Sequence, residues 1–271
     1  MAPSLTQNKY YFSSFERLSK PAIVCREKPD AVILGTSRAA VGLRPASLAR
    51  YAGRSYNLAL NGSYLQEVDA AFRVAVECGV TKVLYGIDFF TFTKITKERA
   101  GEVRLMGTPF SLVKLNLLAK YVASLSAASD SVRTIWGNVR NEMPSHDEMG
   151  MFLNYNPANV PFKAPEAEDR KVFSDAYQIF EAMLEFANGK GIEIKIFVSP
   201  IFRSHLRDDQ IYSEWLSRVT VIAARRGFSV YNVAGEKKFT ARRSDFLDVN
   251  HYKPEVGDLI IEEIYDPARR S

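Results

Sequence analysis

The stretch Ala31-Val-Ile-Leu-Gly-Thr-Ser-Arg38 begins with an apolar run and ends in polar residues. A short continuous apolar run is typical of a strand that is covered on both faces of a sheet. Gly35 and Thr36 end the run, so Ser37 and Arg38 are expected where the following loop begins. The stretch raises two questions: which fold buries this strand, and whether Ser37 is a reactive residue or only a turn residue.

Four more runs of the same kind occur along the chain, and the stretches between them have mostly helical periodicity. The five predicted strands are Ala31 to Gly35, Tyr56 to Leu60, Lys82 to Ile87, Ile192 to Val198 and Ser229 to Val233. Strands that alternate with helices favour a parallel sheet with right-handed crossovers. The sequence therefore predicts an α/β fold, a three-layer α/β/α sandwich with a five-stranded, mainly parallel sheet.

The connecting helices follow from apolar positions that fall on one helical face. Four such faces run from Tyr64 to Val76, from Phe173 to Ala187, from Ile211 to Ala223 and from Val256 to Ile264. Ser63 and Gln66 have the spacing of a capping box at the start of the first helix. Gly189 and Gly191 are expected to end the second helix.

One connection is too long for a plain crossover. Residues 91 to 191 lie between the third and fourth strands, with a helical pattern near Ser111 to Leu125 and a Pro/Asn-rich stretch from Met143 to Pro165. Long connections in compact domains tend to be functional or disordered. We predict an N-terminal extension over residues 1–29 and one domain over 30–271, in which the helical insertion at about 91–191 covers or shapes a pocket.

Composition and charge limit the classes of function. The chain has 271 residues, 46% of them hydrophobic and 25% charged, with a net charge of +5 and a pI near 9.1. No stripe of basic and aromatic residues accompanies this charge, so nucleic acid is not an expected partner. A basic cluster at Lys237, Lys238, Arg242 and Arg243 is interpreted as a solvated face, although an anionic glycan would suit it.

The two cysteines, Cys25 and Cys78, fit neither a disulfide framework nor a metal site, and their separation gives no sign of pairing. No run approaches the length of a membrane span, and the N-terminus lacks the pattern of a signal peptide. The start Met1-Ala-Pro-Ser is nevertheless abrupt, and a chain whose anchor or signal had been removed would look the same.

Ligands of an open parallel sheet bind at the carboxyl ends of its strands, and every predicted end here carries small or polar residues. A serine hydroxyl becomes a nucleophile when an imidazole takes its proton and a third group orients that imidazole. Asp248 and His251, three apart, are suited to be that pair for Ser37. Backbone N–H groups at Ser37 and Gly62 are suited to bind an oxyanion.

These residues form four blocks that resemble those of the SGNH (GDSL-like) hydrolase superfamily, in the same order. The blocks are Gly35-x-Ser37, Asn61-Gly62, Gly86-x-Asp88 and Asp248-x-x-His251. The Gly-Thr-Ser-Arg and Asp-x-x-His-Tyr blocks are similar to those of bacterial cell-envelope polysaccharide modification proteins. Alginate acetylation and teichoic-acid D-alanylation proteins are relatives of that group. The resemblance spans roughly residues 30 to 265 and implies an SGNH/flavodoxin-like sandwich.

The resemblance also implies the roles of individual residues. Ser37 would be the nucleophile, His251 the general base, Asp248 its orienting partner and Gly62 an oxyanion donor. Where the superfamily commonly has Asn as a further oxyanion donor, this chain has Asp88. An ionised carboxylate cannot donate a hydrogen bond, so Asp88 is either protonated or used otherwise, to bind substrate hydroxyls or orient a side chain.

Each of these residues also has a structural interpretation. Ser37 could be an ordinary helix cap, although the nucleophile interpretation is favoured with Asp248 and His251 present. Arg38 either binds an anionic substrate group or pairs with Asp88. Asn61 either binds substrate or forms the tight turn.

Outside these blocks, His205 is either a substrate contact or a solvated loop residue, and His146 is expected on the surface. The aromatic residues Phe89, Phe90 and Phe92 are expected in the core. The glycines fit neither a dinucleotide fingerprint nor a phosphate loop, and Cys and His are too scattered for zinc.

Two functional hypotheses follow. The first is an SGNH-type serine esterase or O-acyltransferase that acts on an acylated carbohydrate through an acyl-Ser37 intermediate. It needs no cofactor or metal, and the resemblance implies a polysaccharide substrate with an acyl donor, a membrane-bound acyltransferase partner, and a periplasmic or otherwise extracytoplasmic, membrane-anchored location. The alternative is a non-catalytic protein of the same fold that binds glycan or a partner in a polysaccharide-modification assembly.

Overall fold

The computed structural model describes residues 16–93, 103, 146–147, 149–153, 155, 171–202, 210–234 and 242–266. Its five strands form one sheet in the order β2-β1-β3-β4-β5, and every neighbouring pair is parallel. The strands are β1 (Ala31–Leu34), β2 (Ser55–Asn57), β3 (Lys82–Ile87), β4 (Glu193–Val198) and β5 (Val230–Tyr231). The α/β class and the parallel sheet predicted from the sequence are confirmed.

Helices lie between and around these strands. They are α1 (Glu16–Glu27), α2 (Ser37–Gly42), α3 (Pro45–Ala52), α4 (Leu65–Glu77), α5 (Ser174–Lys190), α6 (Gln210–Arg225) and α7 (Pro254–Tyr265). Short 3₁₀ turns occupy Phe89–Phe92 and Arg243–Asp245. The four predicted helical faces correspond to α4, α5, α6 and α7.

Helices cover both faces of the sheet, which makes the architecture doubly wound. Val32 and Leu34 of β1 pack into one apolar core with residues of α4, α5 and α6, while Ala31 and Ile33 pack into a second core with residues of α2, α3 and α7. Because successive side chains of a strand point to opposite faces, a strand covered on both faces must be apolar throughout. This is the physical reason for the continuous run in the sequence.

The edges of the sheet depart most from the predicted strands. The expected strand from Tyr56 to Leu60 is observed only as Ser55–Asn57. The Asn57 side chain is buried, donates to the carbonyl oxygens of Ala39 (2.9 Å) and Leu43 (3.0 Å), and accepts from the N–H of Ala59. These bonds turn the chain out of the regular ladder, although the Leu60 N–H still donates to the Gly35 carbonyl at 3.1 Å.

The start of α4 also differs from the prediction by one residue. The Glu67 carboxylate accepts from the N–H of Tyr64 at 2.8 Å, so the capping partners are Tyr64 and Glu67 rather than Ser63 and Gln66. Gly191 ends α5 in the left-handed conformation, as predicted, whereas Gly189 lies inside the helix.

The interpretation of the cysteines was wrong. Cys25 and Cys78 form a disulfide, with their Cα atoms 4.8 Å apart, and it joins α1 to the end of α4. The two residues are 53 positions apart in the sequence, and only the packing of α1 on α4 brings them together. A lone pair of cysteines without a spacing motif carries no signal of this contact.

Close packing of α2 against α7 determines where the C-terminal loop lies. A Cβ atom on Gly257 would overlap the Gly42 carbonyl oxygen, and one on Gly42 would overlap the ring of Tyr252. Glycine at both positions lets the two helices approach closely. The loop that precedes α7 is thereby held beside the start of α2, where Ser37 lies.

Several predictions fall outside the described residues. Most of the insertion at about 91–191 does so, including Ser111 to Leu125 and most of the Pro/Asn-rich stretch, as do His205, Lys237 and Lys238. Arg242 and Arg243 are exposed. Among the described helices, none is both long enough and apolar enough to span a membrane.

Candidate active site

Ser37 lies at the carboxyl end of β1, as the first residue of α2. The helix cap is the preceding residue, Thr36, whose Oγ1 accepts from the N–H of Arg38 at 3.4 Å. The capping role considered for Ser37 therefore belongs to Thr36. The Ser37 hydroxyl is directed instead at the loop that precedes α7.

That loop holds Asp248 and His251. The backbone N–H groups of Asn250 and His251 donate to Asp248 Oδ1 at 2.6 and 2.8 Å, which fixes the carboxylate inside its own turn. The Nδ1 atom of His251 lies 2.9 and 3.0 Å from the two carboxylate oxygens. The Nε2 atom of His251 lies 2.8 Å from Ser37 Oγ. The structure thus brings together the three residues proposed from the sequence.

The hydrogen-bond partners of His251 determine which of its ring nitrogens carries the hydrogen. An ionised carboxylate only accepts hydrogen bonds, so Nδ1 carries the hydrogen and donates to Asp248. In the neutral ring Nε2 then has a free lone pair, which accepts the hydroxyl hydrogen of Ser37. This is the arrangement in which an imidazole can remove a proton from serine.

The environment keeps Asp248 ionised. Its burial raises the pKa of the carboxyl, but the hydrogen bonds and charge of His251 and the N–H groups of Asn250 and His251 lower that pKa by more. The net pKa lies below the ordinary value. The negative charge is therefore present to orient His251 and to stabilise an imidazolium.

Arg38 and Asp88 form a buried ion pair beneath the serine. Arg38 Nη1 donates to Asp88 Oδ1 at 2.5 Å, and the hydroxyl of Thr36 donates to the other carboxylate oxygen. Only 4% of the Arg38 side chain and 2% of the Asp88 side chain are exposed. Of the two interpretations of Arg38, the structure contains the pairing with Asp88, and this burial leaves little of Arg38 for an anionic substrate group.

The same ion pair connects the serine turn, residues 35–38, to the loop that holds Asp248 and His251. Arg38 Nη2 donates to the side-chain oxygen of Asn250 at 3.1 Å, and its guanidinium lies 5.0 Å from the centre of the Phe90 ring. Phe89 and Phe92 are buried, as predicted, whereas Phe90 is half-buried. Arg38 thus ties together the turns that carry Ser37 and His251.

The predicted oxyanion residue Gly62 lies in a tight turn after β2. Ser63 N–H donates to the Leu60 carbonyl at 3.3 Å, and Gly62 has φ +57°. Leu60 N–H and the Ser63 hydroxyl both donate to the carbonyl of Gly35, at 3.1 and 3.4 Å. These bonds hold the turn against the residues that precede Ser37. Gly62 is exposed, and nothing lies within 4 Å of where its Cβ would be.

The polar groups of Asn61 bind Glu16 of α1. Its backbone N–H and its side-chain Nδ2 donate to the two carboxylate oxygens of Glu16, at 2.5 and 3.0 Å. Glu16 belongs to α1, in the segment that the sequence predicted as an extension. The turn interpretation of Asn61 is therefore the one that fits these contacts.

Tyr155 was missed by sequence reasoning. Its hydroxyl donates to Asp248 Oδ2, and its ring centre lies 4.4 Å from that of His251. The residue lies within the predicted insertion, where a tyrosine among prolines and asparagines gives no sign of such a contact. Thr36 and Asn250 were also missed, although both lie inside the four sequence blocks.

The surface position predicted for His146 was wrong. Its side chain is fully buried, with Nε2 3.7 Å from the Glu16 carboxylate, and burial lowers the pKa of its imidazole. Lys20 is also buried in this region, where its ammonium group donates to the carbonyl of Ala59 at 2.6 Å. Burial lowers the pKa of Lys20 to about 8, against the charges of Glu16 and Asp147, which raise it.

Within the part of the chain that the structure describes, no three His, Cys, Asp or Glu side chains are grouped so that they could hold a metal ion. No protein-family model fits the sequence, and no curated protein is significantly similar to it.

Proposed function

We propose that this protein is an SGNH-type serine esterase or O-acyltransferase that acts on an acylated carbohydrate. One observation carries the proposal: two hydrogen bonds connect Ser37, His251 and Asp248 without a break. Ser37 Oγ lies 2.8 Å from His251 Nε2, and His251 Nδ1 lies 2.9 Å from Asp248, at the carboxyl edge of the sheet. Hydrogen-bonded nucleophile, base and orienting acid are the parts that acyl transfer through serine requires. The carbohydrate class rests on the resemblance of the four sequence blocks.

In the acylation step, Ser37 Oγ attacks the ester carbonyl carbon while His251 Nε2 takes the hydroxyl proton. The carbonyl oxygen becomes an oxyanion, and the ionised Asp248 stabilises the imidazolium. Collapse of this intermediate breaks the bond to the alcohol oxygen, which receives the proton from His251. The products of this step are a free alcohol and an acyl-Ser37 ester.

In the second step, His251 removes a proton from water or from a sugar hydroxyl, which attacks the acyl-Ser37 carbonyl. Water yields a carboxylic acid, and a sugar hydroxyl yields a new ester. Both outcomes use the same residues and regenerate Ser37. The esterase and the acyltransferase therefore differ only in which nucleophile reaches the acyl group.

Two backbone N–H groups are the proposed donors to the oxyanion. Ser37 is the first residue of α2, and the first N–H groups of a helix have no acceptor within the helix. The N–H of Gly62 donates to no backbone carbonyl among the described residues. Preorganised donors of this kind typically contribute about 10²–10³-fold each to the rate.

The pairing of Asp88 with Arg38 bears on the alternative, a non-catalytic glycan- or partner-binding protein. Asp88 in place of the Asn common in the superfamily is the sequence feature that favours this alternative, because an ionised carboxylate cannot donate to an oxyanion. Because Asp88 accepts from Thr36 and Arg38, its carboxylate holds the turn that carries Ser37 and donates no hydrogen bond to an oxyanion, so the backbone N–H groups of Ser37 and Gly62 are the donors that the proposed enzyme uses.

The disulfide supports an extracytoplasmic location for this activity. Disulfides such as Cys25–Cys78 persist in oxidising compartments and are rare where glutathione and thioredoxin keep thiols reduced. An envelope polysaccharide as substrate, with an acyl donor delivered by a membrane-bound partner, is consistent with such a location.

Labelling with a serine-reactive organophosphorus ester tests the proposal. We expect one adduct per chain, located on Ser37 by peptide mapping, and no adduct in Ser37→Ala or His251→Ala. Ser244→Ala is a matched control, because that exposed hydroxyl donates a hydrogen bond to its neighbour Asp245. A folded wild-type protein that forms no adduct would overturn the proposal in favour of the binding protein.

A second measurement separates the two enzyme classes. The wild-type protein is incubated with p-nitrophenyl acetate, with and without an added oligosaccharide, and the released acetate is compared with acetylated sugar. Acetylated sugar in excess of free acetate identifies a transferase, and free acetate alone identifies an esterase.

A further inference from the structure

The turn that presents Gly62 is held from outside the sheet by α1. Leu60 to Ser63 form a β-turn, with the Ser63 N–H bonded to the Leu60 carbonyl and a positive φ at Gly62 but not at Asn61. This is the type II pattern, in which the third residue has positive φ. The peptide between Asn61 and Gly62 is the central peptide of the turn.

The direction of the Gly62 N–H depends on that central peptide. Type I and type II turns differ by a reversal of the central peptide, and glycine at the third position is compatible with both. In a trans peptide the carbonyl and the N–H point to opposite sides. Reversal of the Asn61–Gly62 peptide would therefore point the Gly62 N–H in the opposite direction.

Arg17 of α1 binds the carbonyl end of this peptide. Its Nη2 donates to the Asn61 carbonyl oxygen at 3.0 Å, while its Nε donates to Glu67 at 2.5 Å. Glu67 is fully buried and also accepts from the N–H of Tyr64, so it fixes the guanidinium in place. Glu16 accepts from the N–H of Asn61 on the other side of the same residue.

We propose that Arg17 is a positioning residue for the oxyanion site: it holds the Asn61–Gly62 peptide so that the Gly62 N–H faces away from α1 and remains available to the oxyanion formed at Ser37. Glu16 and Glu67 support it. This inference rests on the proposed function for its catalytic consequence, but the orientation of the peptide can be measured without any activity.

The bond has an electronic consequence as well. A guanidinium that donates to the carbonyl of a peptide polarises that peptide, which makes its N–H a stronger donor. Arg17 therefore acts on the Gly62 N–H in two ways, through its direction and through its donor strength. Both effects matter more in the transition state, where the negative charge is largest, than in the bound ester.

The first variant to test is Arg17→Met, which keeps the apolar stem and removes the donor. We expect kcat for p-nitrophenyl acetate to fall about tenfold or more, toward the 10²–10³-fold loss typical of one oxyanion donor, with KM changed less than about threefold. Arg17→Lys, which still can donate to the Asn61 carbonyl, should recover part of kcat. Arg26→Met is the control, because exposed Arg26 pairs with Glu27 in the same helix.

Gly62→Ala tests the turn without disturbing α1. Its φ of +57° disfavours alanine while its Cβ would meet nothing, so the substitution acts through backbone conformation alone. Gly191→Ala has nearly the same strain, with φ +65° and no atom near the added Cβ, and lies at the end of α5. We expect Gly62→Ala to lower kcat and Gly191→Ala to leave it unchanged.

Crystal structures of the wild-type protein and of Arg17→Met complete the test. A reversed Asn61–Gly62 peptide in the variant supports the inference, and an unchanged peptide together with unchanged kcat overturns it. If the wild-type protein neither labels at Ser37 nor hydrolyses the ester, the proposed function fails. The peptide orientation in Arg17→Met still decides whether Arg17 holds this turn.

Discussion

Two neighbouring turns of the site are held in different ways. The serine turn, from Gly35 to Arg38, is held by Asp88, which follows β3, and by Asn250 of the C-terminal loop. The turn of the proposed oxyanion donor Gly62, from Leu60 to Ser63, is held largely by α1. The first turn therefore depends on the sheet itself, whereas the second depends on a helix that precedes the first strand.

The parts of a site at the edge of a sheet can thus have separate structural support. Each turn uses an arginine bound to a buried carboxylate, Arg38 with Asp88 and Arg17 with Glu67. In both cases the arginine then donates to a further group, the Asn250 side chain or the Asn61 carbonyl. Changes to one support should therefore affect one turn more than the other.

The largest effect is expected from Asp88→Asn, which acts on the serine turn. The substitution leaves the Arg38 guanidinium buried without a negative partner, and breaking a buried pair in this way typically costs about 3–5 kcal/mol. We expect the free energy of unfolding in urea to fall by that amount. A variant as stable as the wild type and more active would contradict the structural role of Asp88.

A double variant measures the coupling directly. Arg38→Met with Asp88→Asn should cost less than the two single substitutions together, because neither then leaves a buried unpaired charge. Glu27→Gln provides the control, since the exposed Glu27 pairs with the exposed Arg26 beside it in α1, and a surface pair of this kind contributes little.

The next largest effect is expected from the disulfide that holds α1, the helix bound to the turn from Leu60 to Ser63. Cys25→Ser with Cys78→Ser removes the link between α1 and α4, and loss of a disulfide typically lowers the free energy of unfolding by about 2–4 kcal/mol. The free energy of unfolding of the wild-type protein in a reductant should then equal that of the double variant without reductant. Equal unfolding curves for oxidised wild type and variant would show that the link does not hold α1.

The buried Lys20 of α1 makes the free energy of unfolding depend on pH. The folded protein loses the Lys20 proton near pH 8, whereas the unfolded chain keeps it to about 10.5. Between these values the unfolded state binds more protons, so this residue makes the free energy of unfolding rise with pH, by up to about 3 kcal/mol. Lys20→Met should lack this rise.

Unfolding in urea at several pH values between 8 and 10.5 checks this. The difference between wild type and Lys20→Met isolates the one residue, because other groups that titrate in this range are present in both proteins. A difference that is constant with pH, or that falls as pH rises, would contradict the assignment.

The smallest effect is expected from Tyr155→Phe, which removes a hydrogen bond to Asp248 on the side of the serine turn. A lost bond of this kind is worth about 1 kcal/mol, or about fivefold in kcat/KM. The Tyr51→Phe control alters a half-exposed ring that stacks on Tyr265 and should leave kcat/KM unchanged. A rise in kcat/KM for Tyr155→Phe would mean that the tyrosine competes with His251 for Asp248.

The sequence determined the part of the site that is local. Asp248 and His251 are three residues apart, so the bonds from the backbone to Asp248 and from His251 to Asp248 lie within one turn. The apolar runs determined the strands, because only a strand covered on both faces is apolar throughout, and the carboxyl ends of the strands then fixed where Ser37 would lie. What could be predicted in this way depended on contacts between residues close in the chain or on a general rule of the fold.

Only the tertiary structure decided the partners that are distant in the chain. Arg38 lies 50 residues from Asp88 and 212 from Asn250, and Arg17 lies 44 from Asn61. No periodicity or spacing encodes such pairs, because buried charges are matched by the packing of whole elements. For the same reason the roles of Tyr155 and α1, the disulfide and the burial of His146 could be read only once the helices were placed on the sheet.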